Sequence, residues 1–273
     1  MQFTGIVCTQ NILITERGRK LQTEEKIELL PVYRIKTGKT VKLTVVADLH
    51  LDDIAFLESI YNKVMDRVAR KNLKLILNGD FVSLFFLKDL SSMAERRMHT
   101  DEALDKVWEF LKKYRNRIYL VTRGNHDKRL FKYAESNFLR RYAKELKLNY
   151  ADTQGVLIIQ TGNREWRILV THGWGNGRTI GAKVNKAENL ARQWEQIDIV
   201  VISHTHQPFY FPISRRNPYL QTEQYHYTHI ISTSAFIGDP PYVLEQAYPP
   251  PTFVVPIITL SEGGLKIEWE EIR

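Results

Sequence analysis

The chain has 273 residues, of which 43% are hydrophobic, so it is long enough to bury a core without disulfide or metal staples. Its single cysteine, Cys8, excludes an internal disulfide and a zinc site built on several cysteines. The formal net charge of +8 favours an anionic partner or substrate, although a solvated surface rich in lysine and arginine would produce the same charge.

Residues 1–40 alternate polar and apolar positions around Gly18 and Gly38, a pattern that predicts short strands or hairpins. We recognise no catalytic motif in this stretch. We therefore predict a β-rich N-terminal extension over residues 1–40 and a main domain over residues 41–273.

Residues 41–47 form the first predicted core strand, which ends at Asp48-Leu49-His50. Apolar positions at helical spacing then predict a helix over residues 54–69, capped by one of the two aspartates that precede it. The second predicted strand, residues 73–77, ends at Asn78-Gly79-Asp80. Each strand therefore ends at a polar tip, and a helix can return the chain to the start of the next strand.

Residues 81–87 are unusually apolar, and we expect them to be core or interface, although a lid beside the site is also compatible. A serine and a glutamate at capping-box spacing predict a helix from residue 92 to about residue 114. The third predicted strand, residues 118–121, presents Gly124-Asn125-His126-Asp127. A helical region over residues 128–146 follows this tetrad.

Gly162-Asn163 lies between two β-like runs and predicts a hairpin over residues 156–170. The hairpin leads to Thr171-His172 and then to a glycine-rich loop. Thr179, which comes after this loop, is placed to cap the next helix.

A last buried strand, residues 197–202, ends at Ser203-His204-Thr205-His206, and the remaining residues are predicted to be β-rich. The repeated order of strand, polar tip and helix predicts right-handed βαβ crossovers in a sheet with a strong parallel component. All polar tips would then lie at one edge of that sheet, where α/β proteins bind their ligands.

These tips carry five of the eight histidines, together with three aspartates and an asparagine. Imidazole, carboxylate and amide ligands suit divalent ions such as Mn²⁺, Fe, Zn²⁺, Ni²⁺ or Mg²⁺. Seven or so ligands are too many for one tetrahedral ion, whereas two ions that share a carboxylate would use them and would form a clamp for displacement at phosphorus. The tip residues are Asp48, His50, Asp80, Asn125, His126, Asp127, His172, His204 and His206.

Each motif alone has a simpler explanation. Asp48 with His50 is placed to cap a helix, and Gly79-Asp80 is compatible with an ordinary turn. A lone His172 is more often hydrogen-bonded than metal-bound. These explanations would have to hold for every motif at once and in this order, so we favour a metal site.

The ordered motifs Asp-x-His, Gly-Asp, Gly-Asn-His-Asp, His and His-x-His resemble those of the calcineurin-like metallophosphoesterase superfamily. The resemblance spans residues 48–206, which is over half of the chain. Ser203 departs from it, because the family usually has glycine before the last motif. The resemblance implies an α/β fold with a two-sheet β-sandwich flanked by helices.

The resemblance also assigns roles to the tip residues. One ion would be held by Asp48, His50 and His206. The other ion would be held by Asn125, His172 and His204. Asp80 would bridge the two ions, and a water shared by both would be the nucleophile. His126 would lie near the leaving-group oxygen as a general acid or a stabiliser of charge, and Asp127 would orient and polarise His126.

Substrate contacts are predicted beside these ligands. The glycine-rich loop after His172 enters a helix N-terminus, so its amides, with Asn176 and Arg178, are placed to bind a phosphate. Arg123, before the tetrad, is a further candidate. The alternatives are a flexible glycine loop and a structural role for Arg123 at the end of its strand.

We therefore predict a dinuclear-metal-dependent phosphodiesterase, with Mn²⁺ as the expected ion and nucleic acid, DNA or RNA, as the favoured substrate. The alternatives are a small-molecule phosphoesterase, acting on a cyclic nucleotide, a nucleotide or a lipid-linked pyrophosphate, and, ranked lower, a non-catalytic protein-interaction scaffold. No apolar stretch approaches the ~20 residues that span a bilayer, and we recognise no signal peptide, so we expect a cytoplasmic protein. A homo-oligomer is compatible with the sequence.

Overall fold

The computed structural model of the chain describes residues 30–85, 95–174, 179–216, 225–238 and 250–272. Within these ranges the helices are α1 (Glu58–Arg70), α2 (Thr100–Tyr114), α3 (Asp127–Ala134), α4 (Phe138–Leu146) and α5 (Ile180–Arg192). The strands are β1 (Val32–Lys36), β2 (Thr40–Val46), β3 (Lys74–Asn78), β4 (Ile118–Thr122), β5 (Tyr150–Ala151), β6 (Gln154–Thr161), β7 (Arg164–Thr171), β8 (Ile199–Ile202), β9 (Phe209–Arg216), β10 (Tyr225–Ser232), β11 (Val254–Ser261) and β12 (Gly264–Glu271). None of the described helices has both the length and the apolar composition needed to cross a bilayer.

The strands form two mixed sheets of six strands each, in the orders β12-β11-β2-β3-β4-β5 and β1-β6-β7-β8-β10-β9. Neighbours from β2 to β5 are parallel in the first sheet, and β7, β8 and β10 are parallel in the second. Apolar side chains of both sheets, such as Val45 and Val201, share one buried cluster.

The two-sheet sandwich implied by the resemblance is therefore confirmed, whereas the strand–helix pattern alone predicted a single sheet. The difference arises at the β6–β7 hairpin, which has no crossover helix and belongs to the second sheet. Without a crossover, no local feature of the sequence indicates which sheet these strands join.

Helices cover the outer face of each sheet. On the first sheet, α1, α2 and α4 pack through residues such as Val68, Val107 and Leu139. On the second sheet, α5 packs through Ala187 and Leu190. The layers are thus helix, sheet, sheet and helix, and loops from both sheets meet at the carboxyl ends of the strands.

Three local predictions are confirmed. Strands β6 and β7 pair as an antiparallel hairpin around Gly162, whose φ is 57°. The side chain of Thr179 accepts the N–H of Ala182 at 3.3 Å and caps α5. In the apolar stretch Phe81 and Phe85 are buried, as expected of core, whereas residues 86 and 87 lie outside the described residues.

Helix α1 begins at Glu58 rather than at residue 54. The two aspartates expected to cap it bind other amides instead. Asp52 accepts the N–H groups of Ser83 and Leu84, and Asp53 accepts one from two residues further along the chain. Helical periodicity reveals neither the long-range partners of Asp52 nor the local turn at Asp53, and the helix therefore starts later than predicted.

The other helix boundaries also differ from expectation. Helix α2 begins at Thr100, and the serine of its predicted capping box, residue 92, lies outside the described residues. The helical region predicted over residues 128–146 is divided into α3 and α4, because Glu135 adopts a left-handed conformation and Asn137 caps α4.

Only residues 30–40 of the predicted N-terminal extension are described. There β1 pairs in parallel with β6 and forms one edge of the second sheet. The boundary after residue 40 stays a prediction.

Candidate metal centre

The loops after β2, β3 and β4 of the first sheet meet those after β7 and β8 of the second. They carry all seven predicted ligands: Asp48, His50, Asp80, Asn125, His172, His204 and His206. In one group, ligand atoms of Asp48, His50 and His206 lie within 4.8 Å of one another. In a second group, ligand atoms of Asp80, His172 and His204 lie within 4.8 Å of one another. Asn125 joins the second group, with its Oδ1 3.1 Å from His172 Nε2.

Two carboxylates lie where these groups meet. Asp80 Oδ2 is 3.1 Å from His172 Nε2 in its own group and 3.9 Å from His50 Nε2 in the other. Asp48 Oδ1 is 3.4 Å from His206 Nε2 and 3.8 Å from His172 Nε2. Asp80 and Asp48 are thus both within reach of the two groups, and the assignment of the bridge to Asp80 stays a prediction.

The backbone is strained where these side chains are presented. Five of the predicted ligands have a positive φ, which costs about 1–3 kcal/mol for each residue that is not glycine. They are Asp48, His50, Asp80, His204 and His206. Hydrogen bonds between neighbouring loops hold this geometry, such as those from Asp48 N to Gly79 O and from His50 N to Asp80 O. This strained backbone conformation turns the ligand side chains of successive loops towards one point.

Several buried ligand atoms have no hydrogen-bond partner within the described part of the chain. They are Asp48 Oδ1, His50 Nε2, Asp80 Oδ2 and His204 Nδ1. Asp80 Oδ2 is at ion-pair distance from His172 but lacks the alignment of a hydrogen bond. An unsatisfied buried polar group costs about 1–3 kcal/mol, so four in one place indicate a ligand that satisfies them. Because all four are nitrogen or oxygen atoms that can bind a metal ion, the site fits a pair of divalent cations.

The hydrogen bonds of two histidines also fit this role. His172 Nδ1 donates to the carbonyl of Asn78 at 2.6 Å, which leaves Nε2 facing Asp80 and Asn125. His50 Nδ1 lies 2.8 Å from Ser83 Oγ, which leaves Nε2 facing the same centre. A histidine that binds a metal through one ring nitrogen usually donates a hydrogen bond from the other.

The charges of the site follow from burial and from mutual attraction. Burial alone would raise the pKa of Asp80, but His172 holds it well below its usual value. Burial lowers the pKa of His50 to about 3. Burial would also lower the pKa of His172, but Asp80 and Asp48 raise it to about 10. The site thus presents ionised carboxylates and the neutral imidazole of His50, the protonation states that bind divalent cations, whereas His172 carries a proton that a bound cation would displace.

His126 lies against the first ligand group. Its ring is edge-on to that of His50, with the ring centres 4.9 Å apart. Its backbone N–H donates to Asp80 Oδ1 at 2.8 Å, and its Nδ1 lies 3.2 Å from the carbonyl of Ser83. Burial lowers the pKa of His126. With Nδ1 bonded to Ser83, Nε2 is the ring atom left for a substrate.

The contacts of Asp127 differ from those expected. Its carboxylate accepts backbone N–H groups from Asp80 at 2.8 Å, Gly124 at 2.9 Å and Phe81 at 3.0 Å. We expected Asp127 to orient and polarise His126, but Nδ1 of His126 is bonded to the carbonyl of Ser83. Asp127 begins α3, where side chains point back towards the helix N-terminus, so its carboxylate lies beneath the loop after β3.

Gly124 is required by close packing rather than by a left-handed backbone. It is absent from the described residues with positive φ. A Cβ at this position would overlap the carboxylate and the backbone nitrogen of Asp80. Any side chain here would therefore displace Asp80.

We expect Gly124→Ala to lower the free energy of unfolding by about 1–3 kcal/mol through overpacking. We also expect it to weaken Mn²⁺ binding by about tenfold or more, because Asp80 lies within reach of both ligand groups. Thermal unfolding and calorimetric titration with Mn²⁺ measure the two effects. Gly181→Ala in α5 is the control, because no atom lies within 4 Å of its added Cβ. Wild-type Mn²⁺ affinity in Gly124→Ala would contradict the prediction.

The predicted substrate contacts are less complete. Arg123 Nη2 lies 3.6 Å from Asp152 Oδ1, and its guanidinium lies over the ring of Phe131. These contacts give Arg123 a structural partner. Asn176 and Arg178 lie outside the described residues. The role of all three in substrate binding stays a prediction.

Sequence reasoning missed Asn78, which ties the two sheets together. Its Nδ2 donates to Thr171 O and Ser203 Oγ, both at 2.8 Å. Its backbone carbonyl accepts the hydrogen bond from His172 Nδ1. The serine that replaces the usual glycine before the last motif is therefore accommodated by a hydrogen bond. A polar amide at the end of an otherwise apolar strand was the available signal.

Lys183 was also missed. This lysine of α5 is buried, and its Nζ donates to Thr205 O at 2.8 Å and Gln207 Oε1 at 2.9 Å. It thereby holds the loop that carries His204 and His206. A single lysine on the apolar face of the predicted helix was the signal for it.

The chain matches a protein-family profile and is similar to several solved structures. The sequence profile of the calcineurin-like phosphoesterase family matches residues 41–229. A predicted phosphoesterase from Streptococcus pneumoniae TIGR4 is 15% identical, with a TM-score of 0.39 and coverage of 85% of this chain and 90% of that chain. A metallophosphoesterase from Sphaerobacter thermophilus is 14% identical, with a TM-score of 0.43 and coverage of 85% and 90%.

Vps29 from Chaetomium thermophilum is 11% identical, with a TM-score of 0.43 and coverage of 86% of this chain and 96% of that chain. No curated protein sequence matches the chain. The family profile, in contrast, covers more than half of the chain and includes all seven predicted metal ligands. The chain therefore belongs to the calcineurin-like phosphoesterase family.

Proposed function

We propose that the protein is a dinuclear-metal-dependent phosphoesterase that hydrolyses phosphodiester bonds, with nucleic acid as its favoured substrate. The convergence of seven nitrogen and oxygen ligands carries the proposal, because four of them have a buried atom without a hydrogen-bond partner among the described residues. Membership of the family supports it. In this proposal one ion binds Asp48, His50 and His206. The other ion binds Asn125, His172 and His204, and Asp80 is shared.

Two bound divalent ions would supply the acidity of a shared water and would offset the negative charge of the phosphoester. The chain's own residues supply position and proton transfer. His126 donates from Nδ1 to Ser83, so it would act as general acid, or as a stabiliser of charge, in its doubly protonated form. In that form the proton on Nε2 passes to the leaving-group oxygen and the ring becomes neutral. Asp127 keeps the tetrad packed against the loop after β3 by binding amides of both.

A nucleic-acid substrate is supported by charge and by exposed aromatic rings near the site. The net charge is +8, and α3, which begins next to His126, exposes Lys128, Phe131 and Lys132. Trp174, two residues after the ligand His172, is 46% exposed. Basic residues that follow a phosphate backbone, together with aromatic rings on which bases stack, are typical of proteins that bind single strands.

The alternatives have less support. The apolar residues 81–87 leave a lipid-linked substrate open only if they face the site from the surface, and the side chains of residues 81–85 are buried. A non-catalytic scaffold would tolerate the loss of ligands, and none of the seven is missing from the sequence. A cyclic nucleotide or a nucleotide stays an alternative that assays must separate from nucleic acid.

The test is to load the protein with Mn²⁺ and to assay a chromogenic phosphodiester beside the matching monoester. We expect turnover of the diester that chelation abolishes and added Mn²⁺ restores. Single-stranded DNA, duplex DNA, RNA and cyclic nucleotides then compete as natural substrates. No turnover of either ester with two ions bound would contradict hydrolysis, and preference for the monoester would contradict the diesterase assignment.

A further inference from the structure

Ser83 contacts the two histidines that the proposed function treats as separate. Its Oγ lies 2.8 Å from Nδ1 of His50, and both side chains are buried. Its carbonyl oxygen lies 3.2 Å from Nδ1 of His126. One residue therefore contacts a predicted metal ligand through its side chain and the predicted leaving-group histidine through its backbone.

The hydroxyl contact selects one tautomer of His50. If Nδ1 carries the hydrogen and donates to Ser83 Oγ, the lone pair of Nε2 faces the ligand group. The opposite tautomer would place a buried N–H at Nε2, which has no hydrogen-bond partner within the described part of the chain. An unpaired buried donor costs about 1–3 kcal/mol, so the first tautomer is favoured.

The backbone contact orients the ring of His126, because a carbonyl only accepts and Nδ1 must therefore donate to it. The Ser83 carbonyl accepts from His126 Nδ1 and also from Arg129 Nη1 at 3.0 Å. With Nδ1 as the donor, Nε2 is the free ring atom. The rings of His126 and His50 are edge-on, with their centres 4.9 Å apart. Rotation of either ring would therefore bring it into steric conflict with the other ring.

Ser83 is itself held in place. The carboxylate of Asp52 accepts its backbone N–H at 2.5 Å and that of Leu84 at 2.9 Å. Leu84 has a φ of 54°, a strained conformation for a leucine, which these bonds hold. A fixed backbone at this point gives both histidine contacts a rigid support.

We propose that Ser83 is a positioning residue that sets the ring orientations of His50 and His126 together. Assembly of the ligand group that contains His50 then also positions the leaving-group histidine. This inference rests on the proposed two-ion site, and the binding of two Mn²⁺ ions by the wild-type protein tests that site first.

The test is Ser83→Ala, which removes the hydroxyl and keeps the backbone carbonyl. Titration calorimetry and metal analysis should show one Mn²⁺ bound about 10–100-fold more weakly, while the ion in the other group keeps its affinity. Ser83→Thr keeps a hydroxyl and should restore the affinity. Ser234→Ala is the matched control, because it removes a buried hydroxyl whose described hydrogen bonds reach only Val254, and it should leave Mn²⁺ binding unchanged.

The outcomes separate this inference from the proposed function. If the wild type does not bind two ions, the proposed site fails. If it does, wild-type affinity in Ser83→Ala overturns this inference alone, as would an equal loss in Ser234→Ala or in folded Ser83→Thr. Should Ser83→Ala not fold, ¹⁵N NMR of the metal-free wild type decides, because Nδ1–H on His50 supports the inference and Nε2–H overturns it.

Discussion

Asp80→Asn is expected to lower kcat by about 1000-fold or more, a loss of about 4 kcal/mol of transition-state stabilisation. Asp80 is fully buried, and its Oδ2 lies within 3.9 Å of a histidine nitrogen in each ligand group. Asparagine keeps the shape of the side chain but removes the charge that two cations would share. We therefore also expect the variant to bind fewer than two Mn²⁺ ions.

Steady-state kinetics with the chromogenic diester and metal analysis after dialysis measure both effects. Asp198→Asn is the matched control, because its carboxylate accepts a backbone N–H from Arg167 at 2.7 Å and precedes β8, at the opposite end from the ligand loop. It should keep both ions and nearly all activity. Activity within tenfold of wild type in Asp80→Asn would refute the bridging role.

The meeting of the seven ligands could be predicted because it depends mainly on where the strands end. Each motif directly follows an apolar strand, as Asp48 follows β2 and His204 follows β8. Parallel strands bring their carboxyl ends to the same side of a sheet, so the tips within each sheet converge if the strands are placed correctly. The meeting of the two sets of tips depends on how the two sheets pack. Short-range features were equally accessible, such as the cap formed by Thr179 and the turn at Gly162.

The residues that support the ligands could not be predicted in the same way, because their partners are distant in the sequence. Asp52 or Asp53 was expected to cap the following helix, but the carboxylate of Asp52 binds amides more than 30 residues away. Asp127 was expected to bind its neighbour His126, but it binds the amides of Asp80 and Phe81 instead. Both aspartates suit local caps, and only the packed structure determines which amides they reach.

The backbone conformation of the site also depends on contacts between residues that are distant in the sequence. Aspartate, asparagine and histidine tolerate a positive φ better than most residues, yet nothing in the sequence marks Asp48 or His206 as adopting one. Their conformation follows from hydrogen bonds between loops of two sheets, such as that from His204 N to Asp48 Oδ2 at 3.2 Å. The ligand set thus follows from the motifs, whereas its geometry follows from contacts between the sheets.

His126→Asn is expected to reduce kcat by about 10²–10⁴-fold on a diester with a poor leaving group, while both Mn²⁺ ions stay bound. His126 belongs to neither described ligand group, and its Nδ1 is bonded to Ser83, so its loss removes a proton donor rather than a ligand. A nitrophenolate leaves without protonation, so the same variant should lose far less activity on a nitrophenyl diester. The difference between leaving groups is what identifies a general acid.

The measurement is kcat for wild type and variant on alkyl and nitrophenyl diesters, with bound Mn²⁺ determined in parallel. His226→Asn is the control, because His226 lies on β10 and its Nε2 contacts Ile197 O, away from the ligand loops. An equal loss on both leaving groups would show that His126 stabilises charge or positions the substrate instead. Loss of an ion in the variant would show that His126 binds metal. That result would contradict the proposed roles, in which Asn125 is the metal ligand and His126 transfers a proton.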